Sequence, residues 1–197
     1  MSNSKKHHVI YVPGIRDDLY KFQSTAIKAW RLYGVRGHCH EMPWLGNESY
    51  DLKFQRLLDL IDELSARGDK VYLIGVSAGA GAVINAYMER GSVVEAVACV
   101  CPKINRTQTV SPRMLDRNPA FRESLAVLQA NLTKLSEADK AKISCHFSPA
   151  DKSVPHRDTV IPGVQEYRMP PFSHFFSILY SVTFGAPKII RVLRHKS

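Results

Sequence analysis

Lys70-Val71-Tyr72-Leu73-Ile74-Gly75-Val76-Ser77-Ala78-Gly79-Ala80-Gly81-Ala82-Val83-Ile84-Asn85-Ala86-Tyr87-Met88 carries three readings in one run. Its first five residues are mostly apolar and β-branched, the pattern of a buried strand. The residues after Gly79 are small and largely apolar, the pattern of a helix packed closely on its neighbours. Between the two, Ser77 stands in Gly75-Val76-Ser77-Ala78-Gly79, a strand-to-helix turn too tight for bulky neighbours. Such a turn lifts the serine hydroxyl above the sheet edge. It also aims backbone N–H groups at a helix N-terminus, where developing negative charge is stabilised.

The alternation continues outward in both directions. Upstream, Val9-Ile10-Tyr11-Val12 reads as a strand. A helix follows from Leu19 to Tyr33, with Phe22, Ala26, Trp30 and Tyr33 on one face and Gly34 as its stop. A second strand spans Val35 to Glu41. Ser49 caps a helix with the stripe Phe54, Leu57, Leu58, Ile61 and Leu64, ended by Gly68. Downstream, the serine's helix runs to about Arg90, and Val93 to Val100 is a fourth strand. Pro102 to Asn118 reads as a long loop, and Pro119 opens a helix to about Leu132. Ile143 to Phe147 and Val164 to Met169 are the fifth and sixth strands. A last helix starts near His174, breaks at Gly185-Ala186-Pro187 and resumes to Arg194. Strands joined by helices imply a three-layer α/β/α sandwich with a mainly parallel sheet of about six strands, built as one domain over residues 1–197.

Composition bounds the function. With 45% hydrophobic and 23% charged residues, the chain reads as a globular protein. Its polar start and lack of a long apolar run predict a cytoplasmic protein without stable membrane insertion. Cys39, Cys99, Cys101 and Cys145 form no CxxC pair and fall in predicted strands, so they read as free thiols. His38-Cys39-His40-Glu41 alternates between strand faces and has no second ligand pair, so no metal is expected. The net charge of +9 is spread along the chain. No basic block interleaves with aromatics, so no nucleic-acid partner is expected.

In a parallel sheet of this kind, ligands sit at the carboxyl ends of the strands. Three chemistry-bearing residues fall there in the order nucleophile, acid, base: Ser77, then Asp151 after the fifth strand, then His174 after the sixth. A serine needs a base to take its proton, and the base needs an acid to orient it. Asp158 is the substitute acid. The N–H of Ala78, after the serine, and of Ile15, after Pro13-Gly14, are the candidate oxyanion-hole donors.

With Tyr11-Val12-Pro13-Gly14-Ile15, Gly75-Val76-Ser77-Ala78-Gly79, Asp151 with Val154-Pro155, and His174, the chain resembles the α/β-hydrolase superfamily over nearly its whole length. It looks like a reduced member without a cap domain. The resemblance implies a serine hydrolase that cleaves a carboxylic ester or thioester of a small-molecule or acyl substrate through an acyl-serine intermediate. It requires no cofactor and leaves amides and peptides open as substrates. The competing expectation is a non-catalytic relative that binds a small ligand or protein partner in the same pocket. Lys103, Arg106, Arg113 and Arg117 on the long loop read either as a solvated basic loop, as surface loops usually are, or as recognition of an anionic acyl or alcohol portion of the substrate. Trp44 is placed either in the acyl pocket or on its rim. The basic tail Lys188 to Lys196 is amphipathic, fit for packing on the sheet or for a membrane surface.

Overall fold

The computed structural model describes residues 5–15, 19–105 and 107–196. The elements are β1 (His7–Val12), α1 (Tyr20–Lys28), β2 (Arg36–Cys39), α2 (Tyr50–Ala66), β3 (Lys70–Val76), α3 (Gly79–Arg90), β4 (Val94–Val100), α4 (Pro112–Arg117), α5 (Pro119–Leu132), α6 (Glu137–Lys142), β5 (Ile143–Phe147), β6 (Gln165–Arg168), α7 (His174–Val182) and α8 (Ala186–His195). The six strands form one sheet in the order β2-β1-β3-β4-β5-β6. Every neighbouring pair is parallel. β1, β3 and β4 are buried over almost their whole length, which is why they read as apolar runs rather than alternating ones.

Two apolar clusters cover the two faces of the sheet. Ile10, Leu73, Val97 and Ile143 point into one, with Leu57 and Ile61 of α2, Val83 of α3 and Leu128 of α5. Tyr11, Tyr72, Ile74 and Val100 point into the other, with Ile27 of α1, Ile178 and Val182 of α7, and Ile189 and Leu193 of α8. The result is the predicted three-layer sandwich.

Three local readings need correction. The helix expected from Leu19 to Tyr33 is α only to Lys28, then tightens into a 3₁₀ turn over Ala29–Tyr33 that ends at Gly34 with φ 76°. Its buried face is Gln23, Ile27 and Trp30, whereas Phe22 and Tyr33 are exposed. Ile27 packs at Gly37, and Trp30 meets Tyr11 edge-on while its Nε1–H donates to the Val182 carbonyl at 3.0 Å. Those contacts set the helix's rotation, so Trp30 is turned inward and Phe22 outward.

The long loop Pro102–Asn118 holds a 3₁₀ turn (Thr107–Thr109) and helix α4, whose start is capped by Ser111 accepting from the Met114 N–H. Helix α6 was not foreseen. It has six residues and no buried side chain, and a reciprocal capping box between Ser136 and Asp139 holds it.

Candidate active site

β3 ends in the tight turn. Ser77 has φ 53°, a left-handed conformation that is costly for a residue with a Cβ. It is held there on both sides: its N–H donates to the Val100 carbonyl at 2.9 Å, and α3 begins two residues later. The flanking glycines are required by close approach. A Cβ at Gly75 would lie 2.6 Å from the Ala80 Cα, and one at Gly79 would lie 2.6 Å from the Pro13 carbonyl oxygen. The turn is therefore wedged against the loop after β1.

The other two candidates arrive from the ends of neighbouring strands. Asp151 follows β5, and His174 is the first residue of α7, after β6. The Ser148 hydroxyl ties their loops together, 2.6 Å from the Phe172 carbonyl and 3.1 Å from that of Pro170. The His174 Nδ1 lies 2.6 Å from the Asp151 Oδ2, and its Nε2 lies 3.1 Å from the Ser77 Oγ. An ionised carboxylate only accepts, so Nδ1 carries the hydrogen and Nε2 is left to accept from the serine.

The Asp151 side chain is fully buried and the His174 side chain is 19% exposed. Burial by itself would raise the Asp151 pKa. The hydrogen bonds from His174 and from the Val154 N–H, with the histidine's charge and the Cys101 thiol, outweigh it and hold the group below the usual carboxylate range. Its Oδ1 accepts from the N–H groups of Ser153 (2.9 Å) and Val154 (2.8 Å).

The two candidate oxyanion donors also come to this point. Ala78 is the N-cap of α3, at the positive end of that helix. Gly14 and Ile15 line the same cavity as Ser77, and a Cβ on Gly14 would lie 3.6 Å from the Ser77 Oγ. Trp44 is fully buried and neither lines the cavity nor forms its rim. Its Nε1–H donates to the Pro13 carbonyl at 3.2 Å, bracing the loop that carries Gly14 and Ile15, and its ring meets Phe121 edge-on.

The cavity over Ser77 and His174 has a volume of about 780 Å³. Its apolar wall includes Leu19, Val110, Met114, Phe121, Phe175 and Ile178. Among the described residues of the basic loop, Lys103 is the one cation that reaches it. Lys103 is buried and paired at 2.5 Å with Asp158, so the substitute acid is engaged there and not at His174. Arg113 and Arg117 are exposed, and Arg106 lies outside the described residues. Lys152 and Arg157, on the β5–β6 connection, are the exposed cations that line the cavity.

Two further residues carry no signal in the sequence. Gln23 is buried on the cavity wall, and among the described residues its Oε1 has no hydrogen-bond partner. A glutamine inside a helix is indistinguishable from a surface one until the helix's rotation is known. Cys101, with φ 44° at the end of β4, hydrogen-bonds Asp151 through its thiol.

The ligating atoms of Cys101, Asp151 and His174 lie within 4.8 Å of one another. Two ligands on one zinc at ~2.0–2.2 Å are separated by roughly 3.3 Å in tetrahedral geometry. The 2.6 Å between the carboxylate and imidazole is a hydrogen bond, so these two groups share a proton in this arrangement.

No protein-family model and no curated protein matches the sequence. Solved structures do match. A monoacylglycerol lipase from Paleococcus ferrophilus superposes with a TM-score of 0.63 at 14% identity, covering 95% of this chain and 94% of that one. Est1E from Butyrivibrio proteoclasticus gives 0.64 at 14% identity, with 98% and 90% covered. A meta-cleavage product hydrolase from Pseudomonas fluorescens IP01 gives 0.59 at 13% identity, with 98% and 92% covered. What these three proteins share with this chain at such low identity is architecture, and that architecture is the α/β-hydrolase fold.

Proposed function

We propose that this protein is a serine hydrolase that cleaves a carboxylic ester or thioester through an acyl-serine intermediate. The observation that carries the reading is the continuous hydrogen-bond chain from Asp151 through His174 to Ser77, on a serine held in a strained turn. Such strain persists only where the surroundings enforce it, and it clusters at functional sites.

In this reading His174 Nε2 takes the Ser77 proton as Oγ attacks the carbonyl carbon. Asp151 fixes the imidazole tautomer and stabilises the imidazolium. The N–H groups of Ala78 and Ile15 receive the tetrahedral oxyanion. His174 then gives its proton to the leaving alcohol or thiol and activates the water that releases the acid. The apolar wall of the cavity suits an acyl chain or a comparably apolar portion. The similar structures named above include a lipase and a meta-cleavage product hydrolase, so the bond cleaved rests on the cavity's apolar lining and the test below.

Wild type and Ser77→Ala are treated with a fluorophosphonate and weighed by intact mass, beside a panel of p-nitrophenyl esters and acyl thioesters. Labelling and turnover in wild type, both absent in the variant, support the proposal. A folded wild type that neither labels nor turns over any member of the panel refutes it, and leaves a protein that uses the cavity for binding.

A further inference from the structure

The layer formed by α1, α7 and α8 is unlike the rest of the surface in two independent respects. The first is charge. Residues 19–40 contain Lys21, Lys28, Arg31 and Arg36 and no Asp or Glu. Residues 167–197 contain Arg168, Lys188, Arg191, Arg194 and Lys196, again with no acid. These nine cations equal the net charge of +9, so the remainder of the chain is neutral. The two segments are far apart in sequence, which is why the charge reads as dispersed there. The fold brings the helical parts of both segments to one face of the sheet, where Trp30 bonds to the end of α7 and Tyr33 shares a groove with Arg191 and Arg194 of α8. Seven of the nine cations lie on this layer, while Arg36 and Arg168 sit on the edge strands β2 and β6 and point to the other side.

The second respect is exposed aromatic surface. Among the described residues, every exposed phenylalanine lies on this layer: Phe22 on α1, Phe172 before α7, Phe176 on it, and Phe184 after it. Phe184 is 88% exposed, Phe176 59%, and Leu32, in the turn after α1, 78%. Phe176 projects from α7 itself, and Phe172 and Phe184 flank its two ends. The inner side of α7 covers the sheet with Ile178 and Val182, so this helix is apolar on both sides. Lys188 and Arg191 follow on the exposed side of α8 and make no ion pair among the described residues.

We propose that this layer docks on the surface of an anionic lipid bilayer. Protruding phenylalanine and leucine side chains enter the headgroup–acyl boundary while the surrounding lysines and arginines meet the lipid phosphates. A nucleic acid would complement the charge. It would leave Leu32 without purpose, since a leucine offers no stacking face. Among the described residues no single helix is long and apolar enough to cross a membrane. Helices α7 and α8 have the length and composition only together, are bent by 69° at their junction, and bury Ile178, Val182, Ile189 and Leu193 against the sheet, so the proposed contact is peripheral. Leu19, Gln23, Phe175 and Ile178 of the same segments line the cavity. The docking itself does not depend on the hydrolase reading.

The test uses full-length Ser77→Ala protein, so that lipid turnover cannot alter the vesicles. Co-flotation is measured with phosphatidylcholine vesicles and with vesicles containing 30% phosphatidylglycerol, at low and high salt. Each cation near a charged surface contributes about 1 kcal/mol, or roughly fivefold in partitioning. Lys188→Glu with Arg191→Glu is therefore expected to lower binding to the anionic vesicles by more than about twentyfold. Leu32→Ser with Phe184→Ser is expected to lower it by at least about tenfold. Arg122→Glu with Lys134→Glu makes the same change in net charge on the opposite side and is expected to bind as the parent does. The proposal is overturned if the parent does not float with anionic vesicles at low salt. It is equally overturned if the opposite-side variant loses as much as the first, or if the apolar variant binds unchanged. Competition by an oligonucleotide that ignores Leu32 and Phe184 would assign the surface to nucleic acid instead.

Discussion

Asp151→Asn tests the proposed chemistry most sharply, because the structure dictates which way the amide must face. Oδ1 of Asp151 accepts two backbone N–H groups, from Ser153 and Val154. An asparagine keeps both bonds only if its carbonyl oxygen takes that position, which puts its NH₂ where Oδ2 now meets His174 Nδ1 at 2.6 Å. Two donors would then face each other. The imidazole must respond by moving its hydrogen to Nε2, the atom 3.1 Å from Ser77 Oγ, and in that tautomer it cannot accept the serine proton. The fold is scarcely disturbed, since shape and backbone bonds are kept. The expected outcome is a fall in kcat of about 10⁴, near 5 kcal/mol of transition-state stabilisation, with KM changed by less than about threefold. Steady-state kinetics on the best p-nitrophenyl ester, beside circular dichroism of the variant, measures it. A folded variant within tenfold of wild-type kcat would refute the tautomer argument and Asp151's role with it.

Three further outcomes follow from the packing. Gly79→Ala drives a Cβ to within 2.6 Å of the Pro13 carbonyl oxygen and must push the Gly14–Ile15 loop off Ser77. A loss of about a hundredfold in kcat is expected in a protein that still folds, and unchanged kinetics would refute the wedge. Lys103→Ala takes a charged hydrogen-bond partner from the buried Asp158 carboxylate and is expected to cost about 1–3 kcal/mol in urea denaturation; a loss below about 0.5 kcal/mol would show that the pair is not holding the loop. His146 and His40 are pushed down by burial, to about 3 and about 4, from an ordinary 6.5. Above pH 6.5 both folded and unfolded states hold them neutral. As pH falls below 6.5 only the unfolded state takes up the protons, so folding weakens by about tenfold per pH unit for each histidine. His146→Gln should flatten that slope between pH 6.5 and 4.5, and an unaltered slope would mean that His146 titrates normally.

The order of strands and helices was legible because burial on both faces writes itself as apolar runs, as in Val94–Val100, and because Gly34, Ser49 and Pro119 mark helix ends. The candidate Ser77, Asp151 and His174 were legible for a related reason. Each follows a strand of a parallel sheet, and parallel strands deliver such residues to one edge whatever the details between them. What the sequence could not show was rotation and pairing. The side of α1 that faces the sheet is decided by Ile27 at Gly37 and Trp30 at Val182, contacts made with distant segments. Hence Gln23 was not expected on the cavity wall, nor Phe22 in solvent. Lys103 looked like a free loop cation because its partner, Asp158, lies far along the chain.

The charge asymmetry was hidden by the same circumstance, and it bears on what the charge is for. Excess charge carried for solubility would be scattered, since any exposed site serves that end equally. Here the layer of α2, α3 and α5 keeps its acids and bases in balance: Asp62 meets Arg90, Glu63 meets Arg67, and Asp116 meets Arg122. The opposite layer has no acid in either of its two segments and is also where the phenylalanines point outward. Neither property helps the fold. Like charges on neighbouring helices repel, and Phe184 would be better buried or replaced by a polar residue. Two features that each work against a solitary soluble surface, placed together on one layer, are accounted for by a partner that is both apolar and negatively charged.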